Sequence, residues 1–207
     1  RDLRVIGIKI IPTQEDLFEL RPFLTHLTKL VVVPDKRFPD LDYSVLLNCE
    51  TLIRCNIGHR GEVSPYLINC KKLTHLKING KSEEKLVLNY PILKYLEVEN
   101  CEAKELNIKK CPKLKGLKLG TGELRIIKLS KNNNLKKLEI VGLKNLNTNF
   151  LEKCTNVEKL SLKSGRGQIF NTDCISKLKK LKILYLELVE ISGNFEELTS
   201  LKSLTLK

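Results

Sequence analysis

The chain has no methionine, no tryptophan and a single alanine, Ala103, and aromatic residues fill only 5% of its 207 positions. The missing initiator methionine, with apolar patterning that begins at Leu3 and runs on to Lys207, is expected of a segment whose natural chain continues at both ends, because repeat arrays are normally closed by polar caps. No apolar run approaches the roughly 20 residues of a membrane-spanning helix, and no secretory leader is visible. The motifs that carry chemistry are missing as well. There is no G-x-S-x-G, no phosphate-cradling glycine loop followed by Lys-Ser/Thr, and no H-E-x-x-H. The three histidines, His26, His59 and His75, stand in no motif that would make one the base of a nucleophile. An enzyme is therefore not expected. Gly120-Thr121-Gly122 and Gly165-Arg166-Gly167 read as tight turns between a strand and its return.

The seven cysteines form no C-x-x-C pair. A zinc set could be sketched from Cys49, Cys55, His59 and Cys70, but Cys55 takes a core-facing strand position while His59 lies beyond that strand. Neither a metal nor a cofactor is expected. The odd number, with no clear partners, argues against a disulfide framework and for a reducing compartment. Cys49, Cys70, Cys111 and Cys154 each precede a leucine-type position by three residues, where other stretches of the chain place Leu24, Tyr90, Asn132, Leu178 and Leu198. They read as small buried thiols.

What the chain has in abundance is leucine at a fixed period. Leu-x-x-Leu-x-Leu recurs with its first position at Leu3, Leu27, Leu52, Leu73, Leu93, Leu114, Leu135, Val157, Leu181 and Leu201, in steps of 20–25 residues. Within one unit, Leu93-Lys94-Tyr95-Leu96-Glu97-Val98, the residues Leu96 and Val98 are two apart and share one face of a strand, while Tyr95 and Glu97 share the other. The matching pairs are Ile6/Ile8, Leu30/Val32, Cys55/Ile57, Leu76/Ile78, Leu117/Leu119, Leu138/Ile140, Leu160/Leu162, Leu184/Leu186 and Leu204/Leu206. A single strand cannot bury such a face, so the units must stack in parallel. This predicts an α/β solenoid, a leucine-rich repeat horseshoe of about ten repeats spanning residues 1–207 as one domain, with a parallel sheet on its concave face. Second alternating pairs, Leu86/Leu88, Leu106/Ile108 and Ile127/Leu129, predict short second strands on the convex side of the middle units. The longer units have room for short helices, entered at Thr13 before Leu17 and Leu20, at Asp40 before Tyr43, Leu46 and Leu47, and at Thr172-Asp173 before Ile175 and Leu178.

The net charge is +13, with lysine outnumbering arginine 29 to 8. The bias towards Lys, Asn and Ile is what AT-rich coding DNA gives, and it speaks of the genome more than of a site. Lysines are spread over strands and returns, yet one subset is ordered. Lys94, Lys115 and Lys136 follow the first leucine of consecutive units, and strands about 4.8 Å apart would align them in a basic row. The outward strand positions His75, Lys77, Tyr95, Glu97, Lys118 and Glu139, with Tyr185 further along, are the expected binding residues of the concave face. Tyrosine there combines a large contact area with a polar tip.

The units that start on cysteine, Cys111-Pro112-Lys113-Leu114-Lys115-Gly116-Leu117-Lys118-Leu119 and Cys154-Thr155-Asn156-Val157-Glu158-Lys159-Leu160-Ser161-Leu162, resemble the cysteine-containing repeats of F-box/leucine-rich-repeat proteins. Asn171-Thr172-Asp173-Cys174-Ile175 looks like that class's helix entry. In that family the repeats hold a substrate while a separate F-box docks onto a cullin ubiquitin ligase. The resemblance therefore implies a substrate-binding region in the cytoplasm or nucleus. Two features depart from it: no F-box segment is present, and the middle units are shorter than that class's usual length. Those doubly stranded units, as in Leu96-Glu97-Val98 followed by Leu106-Asn107-Ile108, are also similar to the repeats of internalin-type bacterial adhesins, which implies a cell-surface or secreted module instead. A protein partner, acidic in character, is the first expectation. A basic scaffold contacting nucleic acid or ribonucleoprotein is the further alternative.

Overall fold

The structure is a computed structural model, and it describes residues 7–10, 13–33, 42–58, 64–80, 84–120, 122–130, 134–142, 146–171, 173–192 and 195–207. In chain order the elements are strand β1 (Ile8–Ile10), helix α1 (Gln14–Glu19), β2 (Lys29–Val32), β3 (Arg54–Gly58), β4 (His75–Asn79), β5 (Lys85–Val87), β6 (Tyr95–Glu99), β7 (Glu105–Asn107), β8 (Gly116–Gly120), β9 (Ile126–Lys128), β10 (Lys137–Val141), β11 (Lys159–Asn171), helix α2 (Asp173–Ser176), β12 (Ile183–Ser192) and β13 (Ser203–Leu206). Short 3-10 helices, Arg21–Phe23, Ser44–Asn48, Ser64–Leu67 and Thr148–Lys153, fill returns of the outer units. Among the described residues, ten strands form one parallel sheet in the order β1-β2-β3-β4-β6-β8-β10-β11-β12-β13, and β5, β7 and β9 form a second sheet on the convex side.

The pairing register places like positions side by side. Leu76, Leu96, Leu117 and Leu138 are consecutive partners, and so are Ile78, Val98, Leu119 and Ile140. Just before the strands, a column of backbone hydrogen bonds extends the sheet by one residue per unit. The amide of Lys94 donates to Thr74 at 2.8 Å, Lys115 to Lys94 at 2.8 Å, Lys136 to Lys115 at 2.8 Å and Glu158 to Lys136 at 2.9 Å. Each unit thus has its height along the axis set by its predecessor before its strand begins.

The second strands fall where period-2 spacing puts them. Leu86, Leu106 and Ile127 pair in register and point into the core. Thr13 caps α1 through a capping box: its Oγ1 accepts from the Asp16 amide at 3.2 Å, and its own amide donates to Asp16 Oδ2 at 2.6 Å. Other expectations are corrected. Ile8 pairs with Leu30 and Ile10 with Val32, so the inward pair of the first unit is Ile8/Ile10 and not Ile6/Ile8. Ile6, Ile8 and Ile10 continue a single alternating frame, so any two neighbours of the three could be the pair, and pairing with β2 selects Ile8 and Ile10. Counting back three residues from Ile8, as Leu27 stands from Leu30, moves the leading position from Leu3 to Val5; Leu3, Val5 and Ile6 lie outside the described residues. Asp40 and Thr172 also lie outside them. The return after β2 forms a 3-10 helix, where Asp42 accepts from the Ser44 amide and hydroxyl, each at 2.8 Å. Gly165-Arg166-Gly167 is no turn: β11 runs through it, with a register shift against β12 between Lys163 and Gln168. Thr121 of the other glycine turn is outside the described residues.

All seven cysteines are free and buried. The row three residues before the first leucine is held by weak donors to carbonyls: Cys49 Sγ donates to Leu24 at 3.5 Å and Cys111 Sγ to Leu88 at 3.6 Å, while Tyr90 in the same row donates its hydroxyl to Leu67 at 3.2 Å. This is why thiol and phenol are interchangeable there. Burial pushes the Cys154 thiol up to about 12 and raises Cys55 as well, which keeps both protonated and unreactive at neutral pH. Native protein should therefore react with far less than its seven equivalents of a thiol reagent without added reductant, and denatured protein with all seven; two or three bridges in a mass map would contradict this. In the core, Leu96, Leu117 and Leu138 are 2%, 3% and 1% exposed. Alanine at any of them should cost about 2–5 kcal/mol in denaturant unfolding, whereas alanine at the exposed Lys109 or Lys110 should change little.

Candidate functional site

Side-chain alternation turns the concave sheet into rows, one residue per strand. The first row runs Lys29, Arg54, His75, Tyr95, Gly116, Lys137, Lys159. The middle row runs Val31, Asn56, Lys77, Glu97, Lys118, Glu139, Ser161, Tyr185. The third includes Asn79, Glu99 and Gly120. The first two rows line a shallow concavity of about 570 Å³ that spans β2 to β11.

The lysines of the middle row are occupied by carboxylates of the middle and third rows. Lys77 Nζ lies 3.2 Å from Glu97 Oε1 and 2.6 Å from Glu99 Oε2, and Lys118 Nζ lies 2.6 Å from Glu97 Oε1 and 2.8 Å from Glu99 Oε1. Two carboxylates on one strand are shared by two ammonium groups on its neighbours. Lys118, then Lys77, hold the Glu99 carboxyl down to about 2, and Glu97 and Glu99 raise Lys118 in return. Partial burial works against charge on Lys77, yet Glu99 and Glu97 outweigh it and raise that group too. With these side chains 24–40% exposed, solvent screens each pair to at most about 1 kcal/mol. Glu139, half-buried in the same row, has no ion-pair partner among the described residues.

The first row is different. The His75 and Tyr95 rings stack with centroids 4.7 Å apart and planes 23° apart. His75 shares a 2.8 Å hydrogen bond between Nδ1 and Thr74 Oγ1. Its burial, followed by the charges of Arg54 and Lys94, lowers its pKa and leaves the ring neutral at pH 7. Lys29, Arg54, Lys137 and Lys159 are exposed and form no ion pair among the described residues.

Six of the residues expected from the sequence, His75, Lys77, Tyr95, Glu97, Lys118 and Glu139, line this one concavity. Tyr185 does not. It stands four strands beyond Tyr95, donates its hydroxyl to Glu187 Oε2 at 2.6 Å, and has Lys163 Nζ and Lys207 Nζ 5.2 and 5.6 Å from its ring. Lys94, Lys115 and Lys136 do form an exposed row, linked by the backbone column at the edge of the sheet. Lys136 there is tied to Glu158 at 3.0 Å, and Lys182 meets the same carboxylate at 2.8 Å; Lys182 and Lys136 hold Glu158 down to about 2. Arg54, Gly116, Lys137 and Lys159 were not among the expected site residues. The signal was available, because each stands two residues after its unit's first leucine, as His75 and Tyr95 do.

The shared-carboxylate cluster has a measurable consequence. Glu99 should titrate near pH 2 by carboxyl NMR instead of near its ordinary 4.5, and Lys118→Met should move it back upward. Because the folded-state value is depressed, its contribution to stability is present above about 4.5 and fades as pH falls towards 2.

No protein-family model matches the chain, and no curated protein matches it. Solved structures do. The chain is similar to the leucine-rich repeat domain of APL1B, at 14% identity and a TM-score of 0.67, over 97% of this chain and 58% of that one. It is similar to the internalin inlF of Listeria monocytogenes, at 19% identity and a TM-score of 0.51, over 96% and 66%. It is also similar to a chain of the Toll–Spatzle complex of Drosophila, at 15% identity and a TM-score of 0.53, over 89% and 29%. The chain thus spans 58% of the APL1B structure's chain and 29% of the Toll complex chain. With strand order, register and convex strands in agreement, the chain folds as a leucine-rich repeat solenoid.

Proposed function

We propose that this chain is a non-catalytic module that binds an acidic protein partner across its concave sheet. The observation that carries the reading is the contrast between adjacent rows. The middle-row lysines Lys77 and Lys118 are neutralised by Glu97 and Glu99, while Lys29, Arg54, Lys137 and Lys159 of the first row meet no carboxylate among the described residues. Four exposed cations aligned on one rigid sheet, in a chain of net charge +13, attract and orient a negative surface. Seven free, buried thiols support a reducing, intracellular setting. Among the described residues no helix is long and apolar enough to cross a membrane. The finer assignment, a substrate-holding region of an F-box-type ubiquitin-ligase receptor, rests on the cysteine-started units alone.

Lys118→Glu would put a third carboxylate against Glu97 and Glu99, so Arg54→Glu/Lys137→Glu is the cleaner disruption. Capture from nuclease-treated lysate should recover one protein with the wild type and with the convex control Lys109→Glu/Lys110→Glu, and lose it with the concave double variant. Loss only with the convex control would refute the concave site. Retention that disappears on nuclease treatment would favour the nucleic-acid reading instead.

A further inference from the structure

Gly116 interrupts the first row at its centre. A Cβ at this position would lie 2.8 Å from Cδ1 and 3.2 Å from Cε1 of Tyr95, closer than side chains allow. The phenol ring therefore leans across the Gly116 backbone, into space that any other residue would fill. Its other neighbour is the His75 ring, and Tyr95 still keeps 43% of its surface exposed. The result is a two-ring platform opening into the concavity. Lys29 and Arg54 flank it on one side, and Lys137 and Lys159 on the other. At about 4.8 Å per strand, Arg54 and Lys137 each start about 10 Å from Tyr95.

We propose that this platform anchors an extended acidic segment of the partner protein, one aromatic side chain lying on Tyr95 and His75 and carboxylates meeting Arg54 and Lys137. The proposal rests on the acidic-partner reading above and adds the anchor to it. An extended chain carries side chains on one face about 6.7 Å apart, so carboxylates two to four positions on either side of the aromatic residue bracket the distance to the two cations. Nucleobases also stack on aromatic rings. The middle row disfavours them: a phosphate chain following the first row would pass the uncompensated Glu139 carboxylate, to which a protein segment can present a lysine or arginine. Aromatic anchors that a partner desolvates fully on binding carry a large share of interface energy.

Because the chain lacks tryptophan, a tryptophan in a probe is a reporter free of background. The probe is the synthetic peptide Glu-Gly-Glu-Gly-Trp-Gly-Glu-Gly-Glu, titrated with protein while its emission is recorded. Wild type and Lys109→Glu should bind it alike with a shifted emission. Tyr95→Ala, and Gly116→Val, which fills the space of the ring, should each raise Kd by about tenfold or more with the melting temperature retained. A peptide with alanine for tryptophan should compete correspondingly less well. If Tyr95→Ala and Gly116→Val bind like wild type while Arg54→Glu/Lys137→Glu does not, the platform is refuted and the acidic-partner reading stands. If the peptide with glutamine for glutamate binds as well as the probe, the acidic-partner reading fails. If oligothymidylate displaces the probe at lower concentration than unlabelled acidic peptide does, the occupant is nucleic acid and the proposal is overturned. No binding of the probe to wild type also overturns it.

Discussion

In-register stacking of the inward ladders is the constraint on which the rest of this structure depends. No strand here can bury its apolar face alone; each becomes stable only when its leucines meet the equivalent leucines of the units before and after. The backbone column at Thr74, Lys94, Lys115 and Lys136 sets the vertical position of each unit, and the ladders set its orientation. Neither would suffice by itself. A slip of one residue would keep backbone bonding available and send the entire leucine set to solvent.

That register also decides the chemistry of the concave face. Glu97 can serve Lys77 on one side and Lys118 on the other because all three occupy the same position of successive strands. His75 meets Tyr95 for the same reason, and Tyr95 can lean over its next neighbour only because that neighbour is glycine. The electrostatic pattern follows directly. Charges inside one row cancel where signs alternate between strands and accumulate where they do not, so an overall excess of positive charge becomes an aligned row on a defined surface.

Most of the fold was legible in the sequence. The ladders from Leu30 to Leu204, the convex strands and the capped start of α1 could all be read from period and capping chemistry. The first unit was misread because Ile6, Ile8 and Ile10 continue one alternating frame, and local pattern cannot choose which two of the three make the pair. The return after β2 forms 3-10 turns because helix type in so short a segment is settled by packing. At the site, identity of the outward residues was legible while their pairing was not. Lys77, Glu97 and Lys118 look equally available along the chain; only strand adjacency shows them to be occupied. Position alone marks Gly116 as outward-facing but does not show its role, which lies in the ring of another unit.

The cluster of Lys77, Glu97, Glu99 and Lys118 crosses three consecutive units, and this limits how such an array can change its length. Adding or removing one whole unit leaves the apolar spine continuous, because inward positions are equivalent. The outward positions are not. An insertion between β6 and β8 would put a strange side chain between Glu97 and Lys118, part Tyr95 from Gly116, and leave Lys77 alone to serve two glutamates. Stability would scarcely register the event, while recognition would be rewritten in a single step. Duplication is thus a far more abrupt route to new specificity in this architecture than the slow drift of individual outward residues.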